Sequence, residues 1–104
     1  MVQDPKMPST EELVCAARLG DKSAFAELVR LYERGAVITS YAVLRDYHSA
    51  QDVAQESFLS AFSNLDQLRD AATFGAWLLQ IVRRRALLAR KVPQHEQIHA
   101  DIPD

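Results

Sequence analysis

All four prolines of this chain sit near its ends: Pro5 and Pro8 at the front, Pro93 and Pro103 at the back. Between residues 9 and 92 only Gly20, Gly35 and Gly75 are poor helix formers in the sense that proline and glycine are. No β-branched run in that interval alternates with polar residues over the length of a strand. The chain can therefore fold as helices but has little with which to build a sheet, and an all-α fold is expected, a compact bundle of about four helices. At 104 residues, 48% hydrophobic and 25% charged, it is long enough for one core and too apolar to stay disordered over most of its length.

Capping residues and apolar spacing divide the interval. A first helix over about 10–19 opens at Ser9 or Thr10, with Glu12 placed to close a capping box from Ser9, and ends at Gly20. Asp21 caps a second helix over about 22–45, on which Phe25, Leu28, Val29, Tyr32, Ala36, Thr39 and Val43 keep helical period. Leu31, Ile38, Tyr41 and Leu44 form a further apolar set, which predicts packing on more than one side. Ser49, three residues before Asp52, marks the start of a third helix over about 50–64. The segment NLDQLRDAAT then breaks the period, and Thr73 is the expected cap of a fourth helix over about 74–91, with Phe74, Trp77, Leu78, Ile81 and Leu88 on one face and Pro93 as its stop. The domain is thus expected over 10–91, with a disordered N-terminus over 1–9 and a linker or tail over 92–104.

Charge is divided along the chain rather than spread. Residues 1–68 carry a net −4, residues 69–91 a net +5 and residues 92–104 a net −3. At 100° per residue, Asp52, Gln55, Glu56 and Leu59 project opposite the core positions Ala54, Phe58, Ala61 and Leu65, so this acidic stripe is exposed. A solvated helix face is the plain reading of such a stripe; acid–base catalysis is disfavoured because no nucleophile, pocket or metal set accompanies the carboxylates. The cluster Arg83, Arg84, Arg90 and Lys91 exceeds what a helix C-terminus needs to satisfy its dipole and fits nucleic-acid contact. Arg85 points toward Ile81 and is expected to lay its stem on apolar surface. Phe74 and Trp77 have core spacing.

Other residues carry little chemistry. Cys15, the single cysteine, is expected in the core and can form no internal disulfide. His48 reads as a turn residue, His95 and His99 as tail residues, and no metal or cofactor is expected. No apolar run approaches the roughly eighteen residues of a membrane span, nor does MVQDPKMPSTEE offer a secretory segment, so a cytoplasmic protein is expected.

The order of these signals carries a resemblance. SAQDVAQESFLSAFSNLDQLRDAATFGAWLLQIVRRRALLARK, residues 49–91, resembles region 2 of bacterial sigma factors, most closely the extracytoplasmic-function (ECF) group. There an acidic helix of the form A-x-D-V-x-Q-E-x-F-L precedes a loop, then F-x-x-W-L-x-x-I-A and a basic helix. GDKSAFAELVRLYERGAVITSYAVLRD, upstream, looks like the family's first helical pair. The resemblance implies that Asp52, Gln55, Glu56 and Leu59 dock on the clamp coiled coil of the largest subunit of core RNA polymerase. It implies that the loop Asp66–Thr73, with Gln67 and Arg69, receives a flipped base of the promoter minus-ten element, and that Arg83, Arg84, Arg90 and Lys91 hold promoter DNA. Arg84 stands where the family usually has asparagine, Leu88 where aspartate or asparagine is frequent, and Asp70 where the loop often has glycine. A protein of this kind is not an enzyme; a monomer is expected of the isolated domain. The competing expectation is a helical interaction module that binds a regulatory protein of the anti-sigma factor type without touching DNA.

Overall fold

The computed structural model describes residues 7–101, with side chains as far as Arg90. Among the described residues it is all-α: α1 (Thr10–Arg18), α2 (Lys22–Leu44), α3 (Tyr47–Ser63) and α4 (Phe74–Asp101), with two 3₁₀ turns, Leu65–Gln67 and Ala71–Thr73, between α3 and α4.

Each of the first three helices starts on a side chain that satisfies free backbone N–H groups. Ser9 Oγ accepts the Glu12 N–H at 3.1 Å while Glu12 Oε1 accepts the Ser9 N–H at 2.9 Å, the expected capping box. Asp21 Oδ1 accepts the N–H groups of Ser23 and Ala24 at 3.0 and 3.2 Å. Gly20 lies between these two helices at φ 98°, a left-handed conformation natural to glycine. The third start differs from expectation: Asp46, not Ser49, caps α3, its Oδ2 accepting the Ser49 N–H at 2.9 Å and the Ser49 hydroxyl at 2.6 Å. A carboxylate meets the positive helix N-terminus better than a neutral hydroxyl, so α3 begins three residues earlier than Ala50. Arg45 closes α2 in the left-handed region at φ 57°, its N–H returning to the Tyr41 carbonyl at 2.8 Å.

The core is built where α2 meets α3 and α4. Leu28, Val14, Phe74, Leu78 and Val82 are wholly buried. The Phe74 ring meets the Tyr32 ring edge-on at 5.4 Å, and the Tyr32 hydroxyl reaches Thr10 Oγ1 at 3.0 Å, so one aromatic pair ties α4, α2 and α1 together. Gly75 makes this possible, since a Cβ there would stand 2.9 Å from the Tyr32 ring.

Four further expectations change. The inward row of α4 is Phe74, Leu78, Val82 and Ala86, a four-residue repeat, whereas Leu88 falls off that row and is 58% exposed. On α2, Leu31, Ile38 and Tyr41 are exposed rather than covered by a second packing surface among the described residues; Leu44 is half-buried. Cys15 is exposed because the inward turn of α1 is taken by Leu13, Val14 and Ala17. Pro93 does not stop α4, whose helical backbone continues to Asp101; a proline forfeits one helix hydrogen bond and favours a kink, but need not end the helix. The division of domain from linker at residue 91 turns on side chains outside the described residues, and of the N-terminus expected to be disordered over 1–9, residues 1–6 lie outside them as well.

Phe74→Ala is expected to lower unfolding free energy by about 3–5 kcal/mol in urea titration, and Leu88→Ala to change it by no more than about 0.5 kcal/mol. The caps give a pH prediction. The Ser23 hydroxyl and the Ala24 N–H hold Asp21 below the ordinary carboxylate value; the Ser49 hydroxyl and then its N–H do the same for Asp46. A depressed native pKa stabilises the fold above the unfolded-state value, and that stability is lost as pH falls through the native one. Asp21→Asn and Asp46→Asn, which cap without titrating, should therefore lose less stability than the wild type between neutral pH and the acid range, measured by thermal unfolding.

Candidate functional site

The roll of α3 decides what its polar residues can meet. Ala50, Val53, Ala54, Ser57, Phe58 and Ala61 face inward. Ser57 can be buried because its hydroxyl donates to the Val53 carbonyl at 2.7 Å. With that face committed, Asp52, Gln55, Glu56 and Leu59 are all exposed, Leu59 at 66%. They form a ridge between two hollows. On one side an open groove of about 780 Å³ runs between α2 and α3, with Asp52 and Gln55 opposite Arg34 and Ile38 and with Val29 and Phe58 among its apolar residues. On the other, a shallower hollow is lined by Glu56, Leu59, Ser60 and Arg85.

The basic side is carried by α4. Arg83, Arg84 and Arg90 are exposed; Lys91 lies on the same helix, its side chain outside the described residues. Arg83 and Arg90, seven residues apart, share one line along the helix, and Arg84 stands about 100° round from it. Arg85 takes the other flank and is half-buried. Its Nη1 lies 3.7 Å from Glu56 Oε1, so the ridge and the basic helix touch at one point. Helical spacing places Arg85 near Ile81; the approach to Glu56 depends on how α3 and α4 pack, which local spacing does not reveal.

The segment between α3 and α4 is held down rather than loose. Leu65, Leu68 and Ala71 are buried, and the Arg18 guanidinium donates to the Leu68 carbonyl. Asp70 accepts the Ala72 N–H at 3.0 Å, giving the turn a side-chain cap where glycine would give conformational freedom. Thr73 does not cap α4: its hydroxyl donates to the Asp70 carbonyl at 2.8 Å. Asp66, Gln67, Arg69 and Thr73 are left exposed around these anchors. Sequence reasoning misses Arg18, which acts on a residue fifty positions away. Its only local signal is its place in the last turn of α1, where a cation is ordinary.

Well-anchored helices thus carry exposed side chains of opposite charge on two flanks of the bundle. Residues 17–91 match the family model of sigma-70 region 2. The chain belongs to that family, and its relatives include members of the ECF group. It is 32% identical over 78 residues to the ECF RNA polymerase sigma factor SigW of Bacillus subtilis, covering 73% of this chain and 42% of SigW. Identity is 37% over 71 residues with the RNA polymerase sigma-H factor of Pseudomonas aeruginosa (68% of this chain, 37% of that one) and 34% over 73 residues with the ECF RNA polymerase sigma-E factor of Haemophilus influenzae (68% and 37%). The chain thus spans about two fifths of the length of these relatives. Among the described residues no helix is long and apolar enough to cross a membrane.

Arg18→Ala should release the turn: amide hydrogen exchange over residues 65–70 should speed up by about tenfold or more, with little change in the centres of α2 and α3.

Proposed function

We propose that residues 10–91 form the polymerase- and promoter-binding domain of an ECF-type sigma factor, working in the cytoplasm and performing no covalent chemistry itself. The observation that carries this reading is the outward ridge of Asp52, Gln55, Glu56 and Leu59 in a chain that belongs to the sigma-70 region 2 family. In this reading the ridge docks on the clamp coiled coil of the largest polymerase subunit. Its carboxylates speed encounter and fix register with a basic partner, and Leu59, lying beside a hollow, supplies apolar contact.

Promoter opening needs a place for an unstacked base and a positive surface for the separated strand. Asp66, Gln67, Arg69 and Thr73 surround the anchored turn and would frame the base. Arg83, Arg84, Arg90 and Lys91 would hold phosphates. Arg84, replacing the family's usual asparagine, adds a charge-assisted phosphate contact and shifts the balance from base reading toward backbone grip. The catalysis of RNA synthesis belongs to the polymerase.

Two variants test the two surfaces separately. Asp52→Arg with Glu56→Arg should reduce capture of core polymerase more than about tenfold while leaving far-UV circular dichroism unchanged, because both side chains are exposed. Arg83→Glu with Arg84→Glu should leave capture intact and abolish anisotropy-detected binding of the polymerase complex to a single-stranded minus-ten-like oligonucleotide. Wild-type binding to that oligonucleotide should fall steeply as salt rises. Unchanged capture by the first variant would remove the ridge from the docking role. Absence of any oligonucleotide binding by the wild-type complex would favour a module that binds only a regulatory protein.

A further inference from the structure

The outer face of α2 borders the groove toward α3 on one side, is otherwise uncovered among the described residues, and is not a uniformly polar surface. Glu27, Leu31, Arg34, Ile38 and Tyr41 fall within an arc of about 80° at 100° per residue, and Arg45 follows just past the last turn. Leu31 is 52% exposed, Ile38 60% and Tyr41 44%. Arg34 and Arg45 are exposed, and Glu27 is partly exposed, paired with Arg30 of its own helix at 3.1 Å. Three large apolar side chains in one line on an exposed helix are more than scattered surface residues.

The order of charges on this line says what covers it. Measured from Ala36, Glu27 and Arg45 lie nine residues to either side, Leu31 and Tyr41 five, Arg34 and Ile38 two. A second copy of α2 laid antiparallel, with the two-fold axis at the height of Ala36, therefore brings Glu27 level with Arg45 of its mate twice, once at each end of a contact about 27 Å long. Between these end pairs Leu31 packs beside Tyr41 of the mate, and the stem of Arg34 beside its Ile38. The Arg34 guanidinium lies within reach of the mate's Tyr41 ring, a cation–π contact that draws the two Arg34 charges away from the axis. A parallel arrangement would instead set each residue level with itself, Glu27 on Glu27 and Arg34 on Arg34.

We infer that this face is a homodimer surface, in which two copies associate through antiparallel α2 helices with reciprocal Glu27–Arg45 pairs. One helix pair covers less than the roughly 1,200–2,000 Å² of a stable interface, so the dimer is weak and the expected monomer is the form at high dilution. Since Arg34 and Ile38 also wall the groove that holds Asp52 and Gln55, dimerisation narrows access to the ridge from that side.

Sedimentation equilibrium over micromolar to millimolar concentrations tests the inference without polymerase or DNA. The wild type should show a monomer–dimer equilibrium. Ile38→Glu, on an exposed position that leaves the fold intact by circular dichroism, should weaken association more than about tenfold. Glu27→Arg alone and Arg45→Glu alone should each do the same, since each sets like charges level twice. Mixing these two single variants should restore association as a heterodimer. The antiparallel register then sets the arginine introduced at position 27 of one copy level with the glutamate introduced at position 45 of the other, whereas in a parallel register, where like charges already meet in the wild type, neither single variant would weaken association. A wild type that stays monomeric throughout, a dimer indifferent to Ile38→Glu, or a mixture that fails to recover association overturns it.

Discussion

The inward face of α3 is small and tightly set: Ala50, Ala54 and Ala61 are nearly or wholly buried, with Ser57 and Phe58 between them. Alanine brings helix axes close and leaves little room for a rotated alternative, so this face fixes the roll of α3 against α2 and α4. Everything proposed for the acidic ridge depends on that roll. A rotation of one residue's angle, about 100°, would carry Glu56 toward the core, where an unpaired carboxylate costs several kcal/mol. The ridge is therefore held outward from behind. Asp46 contributes at the end of the helix, since its cap sets where the first turn begins and with it the height of Asp52.

A second dependence runs through Phe74. Its ring closes the α2–α4 junction against Tyr32, and Tyr32 reaches α1 through Thr10. α1 in turn carries Arg18, which holds the Leu68 carbonyl. The turn between α3 and α4 is thus fastened to the bundle by buried Leu65, Leu68 and Ala71 and by a cation from a distant helix. In the proposed reading a frame that receives a base gains by such fastening, because less conformational freedom remains to be lost when the base enters. The exposed Asp66, Gln67, Arg69 and Thr73 then vary the surface of a frame whose backbone is already set.

Much of this is legible without coordinates, and the reason is local. Ser9 with Glu12, Asp21 with the residues after it, and the period of Val53, Ala54, Phe58 and Ala61 all act within one or two helical turns, where sequence spacing and spatial neighbourhood coincide. The exposure of Asp52, Gln55, Glu56 and Leu59 follows from the same period. Spacing misleads where partners are far apart in the chain or where two residues compete for one role. Asp46 and Ser49 both qualify as a cap, and only the competition between carboxylate and hydroxyl separates them. Leu88 and Val82 both fit a helical stripe, and which is buried depends on where α2 and α3 lie. Leu31, Ile38 and Tyr41 read as packing residues because apolar side chains are usually covered; among the described residues they stay exposed. Arg18 and Arg85 reach across helices and leave no spacing signature.

Arg85 also bears on how separate the two charged surfaces are. Its pair with Glu56 is exposed on both sides, at 42% and 61%, and 3.7 Å apart, so its contribution to stability is at most about 1 kcal/mol. That weakness is functionally relevant in the proposed reading. A docking partner that presents a cation to Glu56 can displace Arg85 at little cost, and a phosphate near α4 can draw Arg85 away at equally little cost. Among the described residues the opposite fields meet at this contact, while Asp52 lies toward the α2 groove and Arg83, Arg84 and Arg90 lie away from Arg85 on α4. In the proposed reading a polymerase surface and a DNA strand therefore approach the same small bundle from different sides, each meeting a field of the sign it needs, with the exchangeable Arg85–Glu56 pair at the boundary.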